Sequence, residues 1–262
     1  FTVSGRNTKP VALTIAGSDC SGGAGLQADL KVWAALDVHG ASVVTCLTAQ
    51  NPGSFSCLEP TTSRFVEEQL GSVLGSLKVK SIKTGMLYSR LIIEVVAKHL
   101  VRLRGRQLVV DPVMISSTGA PLMKPSAMKA LVKSLLPLAK LITPNLEEAS
   151  TLAKKPVRDP EDMREAARII FAQFGCAVLV KGGHLKTSEA IDLFYDGKKE
   201  LLLSSPRIKR VSPPGTGCAY SSAITAYLAK GEPLESAVVL AKQYITKSFE
   251  NVYKAGKFTF LD

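Results

Sequence analysis

The chain has 262 residues, 46% of them hydrophobic, enough to bury a substantial core as one large α/β domain or two smaller ones. Its 33 Lys and Arg against 22 Asp and Glu give a formal net charge of +11. The basic residues are dispersed and aromatic content is only 6%, which argues against a nucleic-acid binder and leaves attraction for anionic small molecules. No window approaches about 18 uninterrupted apolar residues, so no membrane-spanning helix is expected. Five scattered cysteines without a CxxC pair argue against a disulfide framework or zinc site and fit a reducing compartment.

The opening "FTVSGRNTKP" lacks the apolar core of a secretory signal, and residues 1–9 read as a flexible extension. A cytoplasmic protein is expected, with a cleaved organelle presequence left open because the chain starts at Phe1. "VALTIAG" (11–17) is an apolar strand, and "AGLQADLKVWAALD" (24–37) a helix with apolar residues three and four apart. Strand and helix then alternate: 41–50, 62–77, 79–86, 90–103, 107–114, 125–136, 140–145, a helix opening after Pro144, 161–175 and 176–183. "RLRGR" (102–106) reads as an exposed helix end and turn. A hairpin follows over 191–203 with Asp196-Gly197 in its turn, then two helices around 216–230 and 233–250. Nearly continuous apolar strands between helices imply an α/β fold, a mostly parallel sheet covered on both faces. No linker, low-complexity tract or repeat interrupts the chain, so 1–262 reads as a single domain. Cys46 and Cys176 read as small core hydrophobes.

Ligands of such sheets bind beyond the carboxyl ends of the strands. The residues there are polar or glycine-rich: "GSDCSGGAG", "TAQN", "TGM", "DPVM", "TPNLEE" and "KGGH", with "PPGTGC" before the penultimate helix. The first of these carries Gly17, Gly22, Gly23 and Gly25. It fits a dinucleotide fingerprint poorly, because the strand ends near Gly17 and no acid closes the next strand. No Lys-Ser or Lys-Thr follows the glycines, so a Walker loop fails too. Asp29, on the apolar face of the next helix with Leu26 and Trp33, needs a partner. A ligand amine and a helix-packing hydrogen bond both remain open.

Small residues opening the helix at 216 leave backbone N–H groups free, and the helix dipole adds positive potential, so Gly215, Thr216, Gly217 and Cys218 form a candidate anion site. Cys218 in the first turn is expected to have a thiol pKa lowered toward thiolate. Asp111, Asn145 and Glu148 offer oxygen ligands suited to Mg²⁺ arriving with phosphates. Lys181 is placed to meet a triphosphate as a point charge. The group points to phosphoryl transfer.

"TIAGSDCSGGAGLQADLK", "TAQN", "KTGML", "DPVM", "TPNLEEA", "KGGH" and "GTGC", in this order and at these intervals, resemble the hydroxymethylpyrimidine and phosphomethylpyrimidine kinases of thiamin biosynthesis, in the ribokinase-like superfamily. The resemblance spans roughly residues 10–250. It implies a ribokinase-like fold. It further implies ATP-dependent phosphorylation of 4-amino-5-hydroxymethyl-2-methylpyrimidine and then of its monophosphate. Carried over by the matching motifs, Gly17, Ala24, Asp29, Gln50, Met86 and Val113 would contact the pyrimidine. Lys181 and Gly215–Cys218 would hold the nucleotide, Asp111, Asn145 and Glu148 the Mg²⁺, and Cys218 with Lys181 would be catalytic.

Departures are Pro213-Pro214 before "GTGC", Cys20 in the first loop, and the ending "YKAGKFTFLD" in place of a Gly-Pro-rich tail with an Asn-His pair. Relatives fused to a second thiamin-pathway domain would explain the last. An exposed sheet edge or helix face would support a homodimer. The rival readings are a pyridoxal kinase of vitamin B6 salvage and a catalytically silent pyrimidine-binding regulator.

Overall fold

The computed structural model describes residues 8–103, 107–115, 119, 122–183, 185, 187–208 and 213–262. The chain opens with β1 (Val11–Asp19), α1 (Gly25–Ala35), β2 (His39–Asn51) and β3 (Ser54–Pro60). Next come α2 (Ser63–Ser76), β4 (Val79–Thr84), α3 (Arg90–Leu100), β5 (Gln107–Val110) and α4 (Pro125–Ala130). Then follow β6 (Leu141–Ile142), α5 (Leu146–Ala153), α6 (Pro160–Phe174), β7 (Ala177–Lys181), β8 (Glu189–Tyr195) and β9 (Glu200–Pro206). The chain closes with α7 (Thr216–Lys230), α8 (Leu234–Glu250), β10 (Tyr253–Ala255) and β11 (Phe258–Phe260).

Nine strands form one sheet in the order β3-β2-β1-β4-β5-β6-β7-β8-β9, parallel from β2 through β7 and antiparallel at both flanks. The alternation of side chains along each strand divides the core in two. Leu13 and Ile15 of β1, Leu108 and Val110 of β5, and Val178 and Val180 of β7 face a layer of α2 to α6. Ala12, Val109, Ala177 and Leu179 face α1, α7 and α8. Both faces are thus covered, as the near-continuous apolar strands imply.

Several boundaries differ from the sequence reading, each for a local reason. The strand at 107 stops at Val110 and the one at 141 stops at Ile142, because Pro112 and Pro144 lack the N–H a ladder needs. The helix at 125 is regular only to Ala130. It continues as a π turn over Leu131–Leu135 and a 3-10 turn over Leu136–Leu138, which contains Pro137.

β3 was not expected. It is an edge strand with mostly exposed residues, so its apolar signal is weak. The terminal hairpin β10–β11 was also not expected; the rings of Tyr253 and Phe260 stack across it at 5.9 Å.

The hairpin at 191 is observed as β8–β9. Asp196 Oδ1 accepts from the Lys198 and Lys199 N–H groups at its turn, and Gly197 takes a positive φ. Residues 104–106 of "RLRGR", residues 1–7 of the expected extension and His184 of "KGGH" lie outside the described residues. Cys46 and Cys176 are core residues as expected, and burial pushes their thiols up to about 11 and about 12. Among the described residues, no helix is long and apolar enough to cross a membrane.

Candidate active site

The glycine-rich loop after β1 is built around a residue that the sequence reading passed over. β1 runs to Asp19, whose carboxylate is 3% exposed. Its Oδ1 accepts from the Ser21 N–H and hydroxyl at 2.9 Å each, and its Oδ2 from the N–H groups of Gly23 at 3.2 Å and Ala24 at 2.8 Å. The loop amides that would otherwise cradle a phosphate are therefore occupied by an internal carboxylate. Gly25 turns the chain into α1 at φ +57; a Cβ there would stand 2.3 Å from the Gly17 carbonyl oxygen.

The start of α7 is the opposite case. Its N-cap, Gly215, has φ +73 and no side-chain cap. The first intrahelical bond is made by the Ala219 N–H, and among the described residues those of Thr216, Gly217 and Cys218 have no backbone partner. Lys181, at the end of β7, reaches this helix start: its Nζ lies 3.1 Å from where a Cβ on Gly217 would be. A side chain at 217 would crowd the ammonium.

Lys181 Nζ also donates to Asp111 Oδ1 at 2.8 Å. Asp111, just past β5, accepts in addition from Thr143 Oγ1 at 3.2 Å and from Ser221 Oγ of α7 at 3.0 Å. Burial opposes the Lys181 charge, but Asp111 and Glu148 outweigh it and hold the ammonium above its usual range. The loop beyond Lys181 is fixed from behind: the Gly182 N–H donates to Asp192 Oδ1, and Lys242 Nζ donates to Asp192 Oδ2.

Asn145 and Glu148 do share one side of the helix that opens after Pro144. They form a complete capping box: Asn145 Oδ1 accepts from the Glu148 N–H at 2.9 Å, and Glu148 Oε2 from the Asn145 N–H at 2.8 Å. The ordinary helix-start reading is thus realised, with a free lone pair remaining on each oxygen. Glu148 is 5% exposed, and its carboxyl is pushed up to about 7, chiefly by burial, with Lys181 opposing and Asp111 adding to the rise. Two buried carboxylates share one Lys181, so the site carries one uncompensated negative charge whenever both are ionised. Among the described residues, no three His, Cys, Asp or Glu side chains come together as a metal cage. Two carboxylates and an amide oxygen suit a cation that brings its own waters and phosphate oxygens, as Mg²⁺ does.

Two residues sit in surroundings that the sequence did not indicate, and the first is Asp29. It is 0% exposed, and its carboxylate accepts from Lys83 Nζ at 2.6 Å, Ser222 Oγ at 2.5 Å and Thr14 Oγ1 at 2.6 Å. These surroundings fit the packing alternative, because the carboxylate is fully buried against three internal donors. The second, Cys218, is not a low-pKa thiol. Burial raises it; Lys83 and the Gly25 N–H oppose this only in part, and Asp111 and Asp29 add to the rise. The helix-start effect expected from sequence is outweighed by desolvation and by two nearby carboxylates that only the fold reveals.

Of the remaining expected contacts, Gly17, Met86 and Val113 lie together. A Cβ at Gly17 would stand 2.4 Å from Met86 Cε and 2.8 Å from Cys46 Sγ, so Gly17 lets Met86 lie flat over the end of β1. Met86 belongs to a small apolar cluster with Cys46 and Leu122, flanked by Val113 and by Phe55 and Leu58 of β3. Gln50 borders it beside a register shift in β2, opposite Phe55. Ala24, the N-cap of α1, touches Gly215. Sequence reasoning missed Asp19, Lys83, Ser221, Ser222, Asp192 and the β3 residues. Only Asp19, an acid followed at once by Ser and Gly residues, carried a readable signal.

A family model described as phosphomethylpyrimidine kinase matches residues 19–260. A hydroxymethylpyrimidine/phosphomethylpyrimidine kinase of Rhizobium meliloti is 47% identical over 90% of this chain and 88% of the relative. The thiamine biosynthesis bifunctional protein ThiED of Geobacter sulfurreducens is 44% identical over 94% of this chain, which spans only 50% of that protein. Among solved structures, an ADP complex of Bacillus subtilis pyridoxal kinase superposes with a TM-score of 0.89 at 36% identity, covering 97% of each chain. The chain belongs to the phosphomethylpyrimidine kinase family, and it is a kinase of ribokinase-like fold.

Proposed function

We propose that this chain transfers the γ-phosphoryl group of ATP to the hydroxymethyl oxygen of 4-amino-5-hydroxymethyl-2-methylpyrimidine, and then phosphorylates the monophosphate to the diphosphate for thiamin biosynthesis. The observation that carries the reading is the contrast between the two glycine loops. One has its amides filled by Asp19, and the other presents an uncapped helix start to Lys181. The first suits a neutral ring and the second an anion. They lie side by side, with Gly215 packed on Gly23 and Ala24.

In this reading the ring sits over Met86 and Val113 beside Gly17 and Ala24, and Gln50 supplies an amide to the ring nitrogen and exocyclic amine. Lys181 and the N–H groups of Thr216, Gly217 and Cys218 face the transferred phosphoryl group, where negative charge spreads over its oxygens in the transition state. Asp111 orients Lys181. Asp111, Asn145 and Glu148 would hold Mg²⁺, which neutralises phosphate charge when bound. The acceptor oxygen bonds to the γ-phosphorus as the bridge to the β-phosphate breaks. With the Cys218 thiol raised rather than lowered, its side chain is a wall of the site and its backbone N–H faces the phosphate. The alcohol proton leaves late, to the phosphate being formed.

The test is ADP release with Mg·ATP and three acceptors: hydroxymethylpyrimidine, its monophosphate and pyridoxal. Turnover of both pyrimidines with pyridoxal slow is expected, and Lys181→Ala should lower kcat by about 10²–10³-fold. Pyridoxal as the best acceptor would move the chain to the B6 reaction of its structural neighbour. Pyrimidine binding without turnover would make it a regulator.

A further inference from the structure

α1 and α7 begin at the two halves of the site, α1 after the acceptor loop and α7 with the phosphate-facing amides. The two helices are joined at two levels. At the loops, Gly215 lies so close to the acceptor loop that a Cβ would stand 2.0 Å from the Gly23 carbonyl oxygen. Deeper in, α1 grips one residue of α7 twice. Asp29 Oδ1 accepts from the Ser222 hydroxyl at 2.5 Å, and Trp33 Nε1 donates to the Ser222 carbonyl at 2.9 Å. Asp29 and Trp33 are four apart and share one face of α1.

The grip is itself anchored to the sheet. Asp29 is held from β4 by Lys83 and from β1 by Thr14, and all five side chains are fully buried. The preceding residue of α7, Ser221, bonds Asp111, the carboxylate that orients Lys181. Two successive hydroxyls of α7 thus tie it to the acceptor's helix on one side and to the phosphate's strand end on the other. Ser222 lies one helical turn from Cys218, so a rotation of α7 at Ser222 turns the anion-binding amides by the same angle.

We infer that Ser222 is a positioning residue for phosphoryl transfer: gripped by Asp29 and Trp33, it fixes the phosphate-facing start of α7 against the acceptor loop. The inference rests on the kinase reading above. The two substrates bind separate loops, so a loosened grip leaves each binding surface intact and alters only their mutual alignment. A misplacement of about 1 Å between reacting groups lowers turnover by roughly 10²-fold.

Ser222→Ala tests this, because Asp29 keeps Lys83 and Thr14 as partners and no charge is left unpaired. Thr225→Val is the control: it removes a buried hydroxyl of α7 that bonds only the Ser221 carbonyl of its own helix. Ser222→Ala should lower kcat 10- to 100-fold with the KM values for acceptor and ATP within about threefold of the parent. Thr225→Val should keep kcat within twofold. Ser222→Ala at parental kcat, or an equal loss in both variants, would overturn the assignment.

A second readout does not depend on the acceptor. Trp33 is the only tryptophan, and its indole N–H ends on Ser222. Mg·AMP-PCP should shift its emission in the parent and not in Ser222→Ala. No shift in the parent overturns the coupling. If titration calorimetry shows Mg·AMP-PCP binding to the parent while no acceptor turns over, the kinase reading fails alone and this emission test decides the grip.

Discussion

Lys83→Met isolates what the buried charge pair contributes. Lys83 and Asp29 are both 0% exposed, with Nζ and Oδ1 2.6 Å apart, and methionine keeps most of the lysine stem. After the substitution, Asp29 retains the hydroxyls of Ser222 and Thr14 and no cation. Removing one member of a buried pair costs about 3–5 kcal/mol, because the other charge is left uncompensated. The two remaining hydrogen bonds place the expected loss near the lower end, about 3 kcal/mol. At roughly 2–4 °C per kcal/mol for a chain near this size, the midpoint of thermal unfolding should fall by about 6–12 °C.

Asp29→Asn added to Lys83→Met removes the orphaned charge and keeps the shape. The double variant should recover to within about 1 kcal/mol of the parent. Urea unfolding of the four proteins at pH 7.5, followed by far-ultraviolet ellipticity, closes the cycle.

The pH dependence has a definite direction. Burial opposes the Lys83 charge, but Asp29 and Asp111 outweigh it and hold the ammonium above its usual range. The contribution is therefore fully present below the unfolded-state value of about 10.4 and is lost as pH rises through the folded-state value. Additivity of the two single substitutions, or a loss under about 1 kcal/mol for Lys83→Met, would refute the reasoning.

Three further outcomes are expected. Glu148, moved from 4.5 to about 7 by burial and Asp111 against the pull of Lys181, binds more protons folded than unfolded between those values. Stability of the metal-free protein should therefore fall as pH rises through that window, by up to roughly 3 kcal/mol. Glu148→Gln should abolish this slope while impairing turnover; a slope of the opposite sign in unfolding midpoints measured with a chelator would refute the burial argument. Tyr220 is buried with a hydroxyl that finds no partner among the described residues, so Tyr220→Phe should be neutral or stabilise by up to about 1 kcal/mol in calorimetry, and a clear loss would mean that another partner exists. Cys20 and Cys57 are exposed and Cys218 is a raised thiol, so iodoacetamide at pH 7.5 should label the first two quickly and Cys218 slowly. Peptide mass mapping that finds Cys218 labelled first would restore the thiolate.

The layout and the neighbourhood were legible along the chain. Apolar runs separated by helical periodicity specify a parallel sheet, because a strand buried on both faces has no polar alternate positions. In such a sheet the strand ends are where Asp111, Lys181 and Gly215–Cys218 had to meet. Local order was legible where a local rule governs it, as at the Asn145–Glu148 cap and the Asp196 turn.

The partner of each buried charge was settled by packing alone. Asp29 reads the same along the chain whether it faces a ligand or a lysine. Lys83 lies 54 residues away on a strand whose register with β1 no local pattern encodes. The same holds for Cys218. Its helix start is a local feature and argues for a lowered pKa, but burial and the Asp111 and Asp29 carboxylates are brought to it by the packing of α7 on β4 and β5. Desolvation and Coulomb terms depend on distance through space, and it is packing that sets those distances.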